Sequence, residues 1–176
     1  DRFIPLWERA EIANKNNADL FISIHCNANR SRDPKGTETY VMGLHKTKGN
    51  LEVSKRENRS ILMEKDHGGK YDQFDPESEE SYILLSLMQN AYRKQSLELA
   101  ATIQDRIEKN KVRKNLGVKE AGFVVLWRTT MPSILVETGF LSNPDDKQYL
   151  VSDTGKNQLA QSIYESVRNL KLHWEQ

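Results

Sequence analysis

The stretch Ala18-Asp-Leu-Phe-Ile-Ser-Ile-His-Cys-Asn-Ala28 constrains the fold more than any other part of the chain. Leu20, Phe21, Ile22 and Ile24 are the residue types of a short strand buried on both faces, as in a parallel sheet. The apolar run then stops at His25, Cys26 and Asn27. Ligands of open α/β sheets sit just outside the carboxyl ends of strands, so a histidine there reaches a ligand or metal while the strand fixes its position.

A second stretch has the same form. Ser133-Ile-Leu-Val-Glu137 reads as a buried strand that ends in Glu137-Thr-Gly-Phe-Leu-Ser-Asn143. Three apolar neighbours draw Glu137 toward the interior, where a carboxylate must find a partner, a metal or a proton. That makes it either a general base or a salt-bridged or capping residue. His25 is likewise either a metal ligand or a structural histidine.

Between these two strands the periodicities alternate. Pro5 to about Asn17 reads as a helix, with Leu6, Ala10 and Ala13 on one face. Asn29 to Gly36 is a polar loop with Pro34 and Gly36 as turn residues, and Thr37 to Met42 is a strand. Asn50 is placed to cap a helix through about Glu64, and a long helical pattern runs from Glu79 to about Lys109. Its stripe of Tyr82, Leu85, Met88 and Tyr92 continues through Leu99, Ala100, Ile103 and Ile107, and reads as core. Gly117 to Trp127 reads as a strand or hairpin kinked at Gly122. Asn143 caps a short helix with Pro144 at its first position and Asp145 and Asp146 in its first turn. The last helix runs from about Thr154 to Leu170, with Leu159, Ala160, Ile163, Tyr164 and Val167 facing the core.

Strands alternating with helices give an α/β fold with a mostly parallel, twisted sheet flanked by helices. A chain of 176 residues makes one domain with room for a proper core. No apolar run approaches a membrane span. The 26 basic and 25 acidic residues leave no basic excess of the kind that nucleic acid or an anionic membrane attracts. A single cysteine excludes an internal disulfide and leaves the compartment open. Residues 44–92 form a helical insertion after the second strand, and their acidic, turn-rich segment from Asp66 to Glu80 reads as an exposed excursion.

Three motifs in order resemble one known family. Leu6-Trp-Glu-Arg-Ala-Glu-Ile-Ala-Asn14, Ala18 to Ala28 and Pro132-Ser-Ile-Leu-Val-Glu-Thr-Gly-Phe-Leu-Ser-Asn143 look like the zinc-dependent N-acetylmuramoyl-L-alanine amidases of the Amidase_3 type. The resemblance implies a peptidoglycan hydrolase of the bacterial envelope or periplasm. It would cut the amide between N-acetylmuramic acid and the L-alanine of the stem peptide. In the family the histidine matching His25 binds zinc and the glutamate matching Glu137 is catalytic. Asn27 is close enough in sequence to contact substrate.

The family's other two zinc ligands, a histidine and a glutamate, fall upstream of the motif at Leu6. The chain therefore reads as N-terminally incomplete, with Asp1-Arg2-Phe3-Ile4-Pro5 resembling the segment that follows those ligands. His67, in Asp66-His-Gly-Gly69, superficially echoes the missing ligand segment but lies downstream of His25. His45 and His173 read as surface residues. Related cell-division amidases carry an insertion at this place that covers the zinc with an acidic residue. The matching candidates here are Glu57, Glu77, Glu79 and Glu80, so the insertion reads either as autoinhibitory, relieved by a LytM-like activator protein, or as a substrate-shaping or solvated loop. The rival reading is a noncatalytic amidase-like module that binds wall glycopeptide or a division partner.

Overall fold

The computed structural model describes residues 2–64, 67–71, 74–87, 91–111 and 113–175. Helices and strands alternate as the periodicities require. In chain order they are α1 (Leu6–Lys15), β1 (Phe21–Asn27), β2 (Thr37–Met42), α2 (Lys48–Asn58), α3 (His67–Lys70), α4 (Glu79–Leu87), α5 (Arg93–Lys109), β3 (Asn115–Ala121), β4 (Ser133–Phe140), α6 (Pro144–Val151) and α7 (Asp153–Trp174). Among the described residues the strands form one four-stranded sheet in the order β1-β4-β2-β3. The sheet is mixed. Phe21 N donates to Pro132 O and Leu141 N to Asn27 O, so β1 and β4 run in the same direction. Thr37 N donates to Lys114 O and Gly43 N to Ala121 O, so β2 and β3 do too. Between these parallel pairs β2 meets β4 antiparallel, with Glu38 opposite Glu137, Thr39 opposite Val136 and Tyr40 opposite Leu135.

Several expectations shift. Among the described residues β1 is the outer strand of the sheet, and Ile24 is 62% exposed rather than buried. Thr47, not Asn50, caps α2, its hydroxyl accepting from Asn50 N. The long helical pattern is two helices, α4 and α5, parted at a turn over residues 91–92; Tyr92 is exposed there, and Met88 lies outside the described residues. Beyond β3 the chain does not form a hairpin. It makes a short 3-10 turn, Val124–Leu126, because Asn58 donates to Gly122 O and accepts from Val124 N, taking the groups a partner strand would need. The buried face of α7 is Gly155, Leu159, Ser162, Ser166 and Leu170, while Ala160 and Tyr164 point outward. Serines fit that face because Ser166 returns its hydroxyl to Ser162 O.

Contacts divide the chain into two compact units. The first comprises Asp1–Ser23, Val41–Lys94 and Lys119–Ile134. Within it, α1 begins after Pro5, whose side chain offers no cap. The orphaned N–H groups of the first turn are satisfied from afar: Leu6 N donates to Glu64 Oε1 at 2.7 Å, and Trp7 N donates to the Tyr71 hydroxyl at 3.1 Å. Tyr71 in turn donates to Glu64 Oε2 at 2.5 Å. Tyr71, expected in the exposed excursion, is thus buried with Glu64 as a cap, while Tyr82 and Leu85 are buried as their stripe implies. The second unit comprises Ile24–Tyr40, Gln95–Val118 and Leu135–Gln176. Its core includes Leu99, Ile103, Ile107, Leu135 and Val136, with Gln104 bonded to Thr37 and Thr39. Gly36 has φ +118°, and an added Cβ would strike Lys114 O, so the turn into β2 requires glycine.

Two outcomes follow for the first unit. Glu64→Ala strands the Leu6 N–H and the Tyr71 hydroxyl and should cost about 1–3 kcal/mol in denaturant unfolding. Burial, then the hydrogen bond to Glu64, raises the Tyr71 pKa above its ordinary 10.0. The fold therefore favours neutral Tyr71, and that stability is present below pH 10.0 and falls as pH rises further. Tyr71→Phe should be less stable at neutral pH but lose stability less steeply above pH 10.0, with Tyr82, raised mainly by burial, supplying remaining slope.

Candidate active site

The second unit places the two candidate residues on adjacent strands, with Glu137 inside β4 rather than at its end, because the strand runs on to Phe140. His25 is half-buried near the end of β1, and Glu137 is 0% exposed in β4, the next strand. Thr138 Oγ1 donates to the His25 carbonyl at 2.7 Å and lies 3.4 Å from Cys26 Sγ. Cys26 and Thr138 therefore share one face. Strand alternation sends His25, Asn27 and Glu137 to the other.

That face holds a residue that the sequence reading passed over. Glu38 stands directly opposite Glu137 in the β2–β4 ladder and is 2% exposed. Its Oε1 accepts from Asn27 Nδ2 at 2.6 Å and from the Tyr40 hydroxyl at 2.8 Å. Like charges directly opposite on a ladder are unfavourable, and these donors offset part of that. A signal was present in the sequence. Every residue of β2 is buried, and Glu38 is the one charge in Thr37-Glu-Thr-Tyr-Val-Met42. A charge within a fully buried strand has to be partnered.

Asn27 is itself 1% exposed. Its Oδ1 accepts from Ala28 N, its amide goes to Glu38, and its carbonyl accepts from Leu141 N. It ties the ends of β1, β2 and β4 together.

Below the end of β4 lies Asp146, fully buried in the first turn of α6. Its Oδ2 accepts from Gly36 N and Phe140 N, and it pairs with Arg113, which also lies over the Tyr149 ring. The Asn143 cap on α6 forms as the sequence implies, accepting from Asp145 N and Asp146 N.

The acidic candidates of the insertion are engaged locally, in the first unit. Glu77 pairs with Arg59 at 2.8 Å, and that hydrogen bond lowers its pKa. Glu80 accepts from Ser78, and its pKa is lowered first by a bond to its own backbone N–H. Glu79 lies 3.6 Å from His45, and Glu57 is 3.2 Å from Arg56. His45 is not the surface residue expected, since its side chain is only 12% exposed. His67 falls in α3, and its side chain lies outside what is described. His173 is exposed near the end of α7.

A catalytic zinc takes about three protein ligands and a water. Among the described residues no group of three or more His, Cys, Asp or Glu is placed to hold a metal ion, so these residues do not complete a zinc site.

A family model described as N-acetylmuramoyl-L-alanine amidase, Amidase_3, matches residues 1–169. The chain belongs to the Amidase_3 family. It is 34% identical over 178 residues to the N-acetylmuramoyl-L-alanine amidase AmiA of Escherichia coli, covering 99% of this chain and 59% of that protein. It is 32% identical to LytC of Bacillus subtilis over 165 residues, 94% of this chain and 24% of that one. The chain thus spans little more than half of AmiA and about a quarter of LytC. Among solved structures it resembles the amidase of Clostridium difficile 630, with a TM-score of 0.64 and 26% identity over 96% of this chain and 66% of that one. AmiC2 of Nostoc punctiforme gives a TM-score of 0.64 and 27% identity, covering 97% of this chain and 68% of that one. These likenesses support the α/β class read from the alternating elements.

Asp146→Ala would leave the half-buried Arg113 without its carboxylate and free two backbone donors. It should cost about 3–5 kcal/mol, read from the shift in the urea midpoint.

Proposed function

We propose that this Amidase_3 chain acts on peptidoglycan, cleaving the amide that joins N-acetylmuramic acid to L-alanine. The observation that carries the reading is Glu137, a fully buried glutamate on the same sheet face as His25, within the motifs shared with the family. Glu137 is the general base: it takes the proton of the attacking water and returns it to the leaving amine of the alanine. Its burial in β4 holds the carboxylate on one line of approach and keeps bulk water from competing for the proton. His25 is the imidazole this chain offers to zinc, which when bound supplies an acidified water and polarises the scissile carbonyl.

The finer setting rests on the resemblance of the sequence motifs to the family. We place the protein in the bacterial envelope or periplasm, acting in cell division. Among the described residues no helix is long and apolar enough to cross a membrane. Residues 44–92 are the proposed regulatory segment and a LytM-like protein the proposed activator. Because Tyr71 helps cap α1, a deletion across 69–80 would also remove a buried support, and point changes at Glu77 or Glu79 are the cleaner probe.

The decisive experiment uses the full-length protein and purified sacculi. Glu137→Gln should lower release of stem peptides by roughly 10²–10⁴-fold with folding intact by circular dichroism. A parent protein that binds sacculi without releasing peptide would favour the noncatalytic module. A Glu137→Gln variant with parental activity would remove Glu137 from the chemistry.

A further inference from the structure

Glu38 is the buried group that the reaction above leaves unexplained. Neighbouring positions of β2 are filled by threonine, tyrosine and valine, which a buried strand accommodates at far less cost than a carboxylate. Packing therefore does not account for a glutamate here. Its contacts do. Two donors converge on one oxygen, Oε1: the amide of Asn27 on β1 and the hydroxyl of Tyr40 on β2. Charge-assisted bonds to a carboxylate are short and directional, and the 2.6 Å and 2.8 Å distances fit that.

The consequence lies in what Asn27 holds. It is two residues beyond His25, and its carbonyl accepts from Leu141 N, four residues beyond Glu137. Glu38 also sits opposite Glu137 itself in the ladder. One side chain thus fixes the carboxyl end of β1 against that of β4 from the far side of the pair. Among the described residues β1 is hydrogen-bonded to β4 alone, and the Asn27–Glu38 bond adds a link from its end to β2.

We propose that Glu38 is a positioning residue of the amidase site: by anchoring Asn27 it sets the separation of His25 and Glu137. The proposal rests on the amidase reading for its chemistry, while the anchoring itself does not. Glu38 moves no proton in the reaction. Its effect appears as geometry, where a misplacement of about 1 Å costs on the order of 10²-fold in rate.

The test uses the full-length protein with three variants, Glu38→Ala, Glu38→Gln and Tyr40→Phe. Steady-state cleavage of muropeptides is read across pH, and the Asn27 side-chain amide is read by ¹⁵N NMR. Glu38→Ala should lower kcat by roughly 10–100-fold with KM changed by less than about 3-fold. The pH profile should keep its shape, and the Asn27 NH₂ pair should move to the position of a solvent-exposed amide. Glu38→Gln keeps an acceptor oxygen and should recover kcat to within about 5-fold of the parent, with the Asn27 signal retained. Tyr40→Phe removes one donor and should lower kcat by a smaller factor than Glu38→Ala. If Glu38→Ala does not fold, Glu38→Gln and Tyr40→Phe decide. Parental kcat in a folded Glu38→Ala, or in Tyr40→Phe where Glu38→Ala does not fold, overturns the proposal. So does a Glu38→Gln variant as inactive as Glu137→Gln or with a displaced pH limb, since Glu38 would then be a proton-transfer group. A parent protein that cleaves no amide defeats the amidase reading, and the Asn27 signal in Glu38→Ala then still decides the anchoring.

Discussion

Two carboxylates, Glu38 and Glu137, stand opposite each other across an antiparallel ladder inside the protein. The candidate site depends on this arrangement being tolerated. Buried acids facing one another are unfavourable, and a strand carrying one would slip its register if slipping relieved the cost. Here slipping is blocked. A one-residue shift would turn Leu135 and Glu137 to the opposite face and break the bonds from Asn27 and Tyr40 to Glu38. At the lower end of β4, Asp146 accepts from Phe140 N and from Gly36 N, so β4 and the entry to β2 share one buried anchor. Register, hydrogen bonding and the anchor agree, which is why a polar site persists in a strand whose every residue is buried.

The first unit solves a different problem. A helix that begins after proline lacks a side-chain cap, and α1 takes one from Glu64 and Tyr71, nearly sixty residues or more downstream. Residues 44–92 therefore contribute to the stability of α1 as well as carrying the exposed acids proposed for regulation. The two roles separate by burial: Glu64 is buried and spent on the backbone, whereas Glu77, Glu79 and Glu80 are exposed. A regulatory movement of the exposed acids need not disturb the cap.

Membership of the Amidase_3 family and the α/β sheet agree with the sequence motifs. The chemistry is less complete. The described residues hold a half-buried histidine and a buried glutamate on adjacent strands, and no group of three metal-ligating side chains.

Sequence by itself determined that these two stretches are strands, though β4 runs three residues past Glu137 to Phe140. Apolar runs closing on His25 and Glu137 are local patterns, and burial forces such runs into strands. The Asn143 cap before Pro144 was equally legible, because capping depends on neighbours two and three residues away. Only the tertiary structure decided the rest. Glu38 gained its meaning from Asn27, eleven positions away, and from Glu137 across the ladder. Asn58 cancelled a plausible hairpin by taking the backbone groups at Gly122 and Val124. β1, read as a strand buried on both faces, leaves Ile24 exposed among the described residues. In each case the deciding partner lies far along the chain, and periodicity reports which face is apolar but not which distant group will meet it.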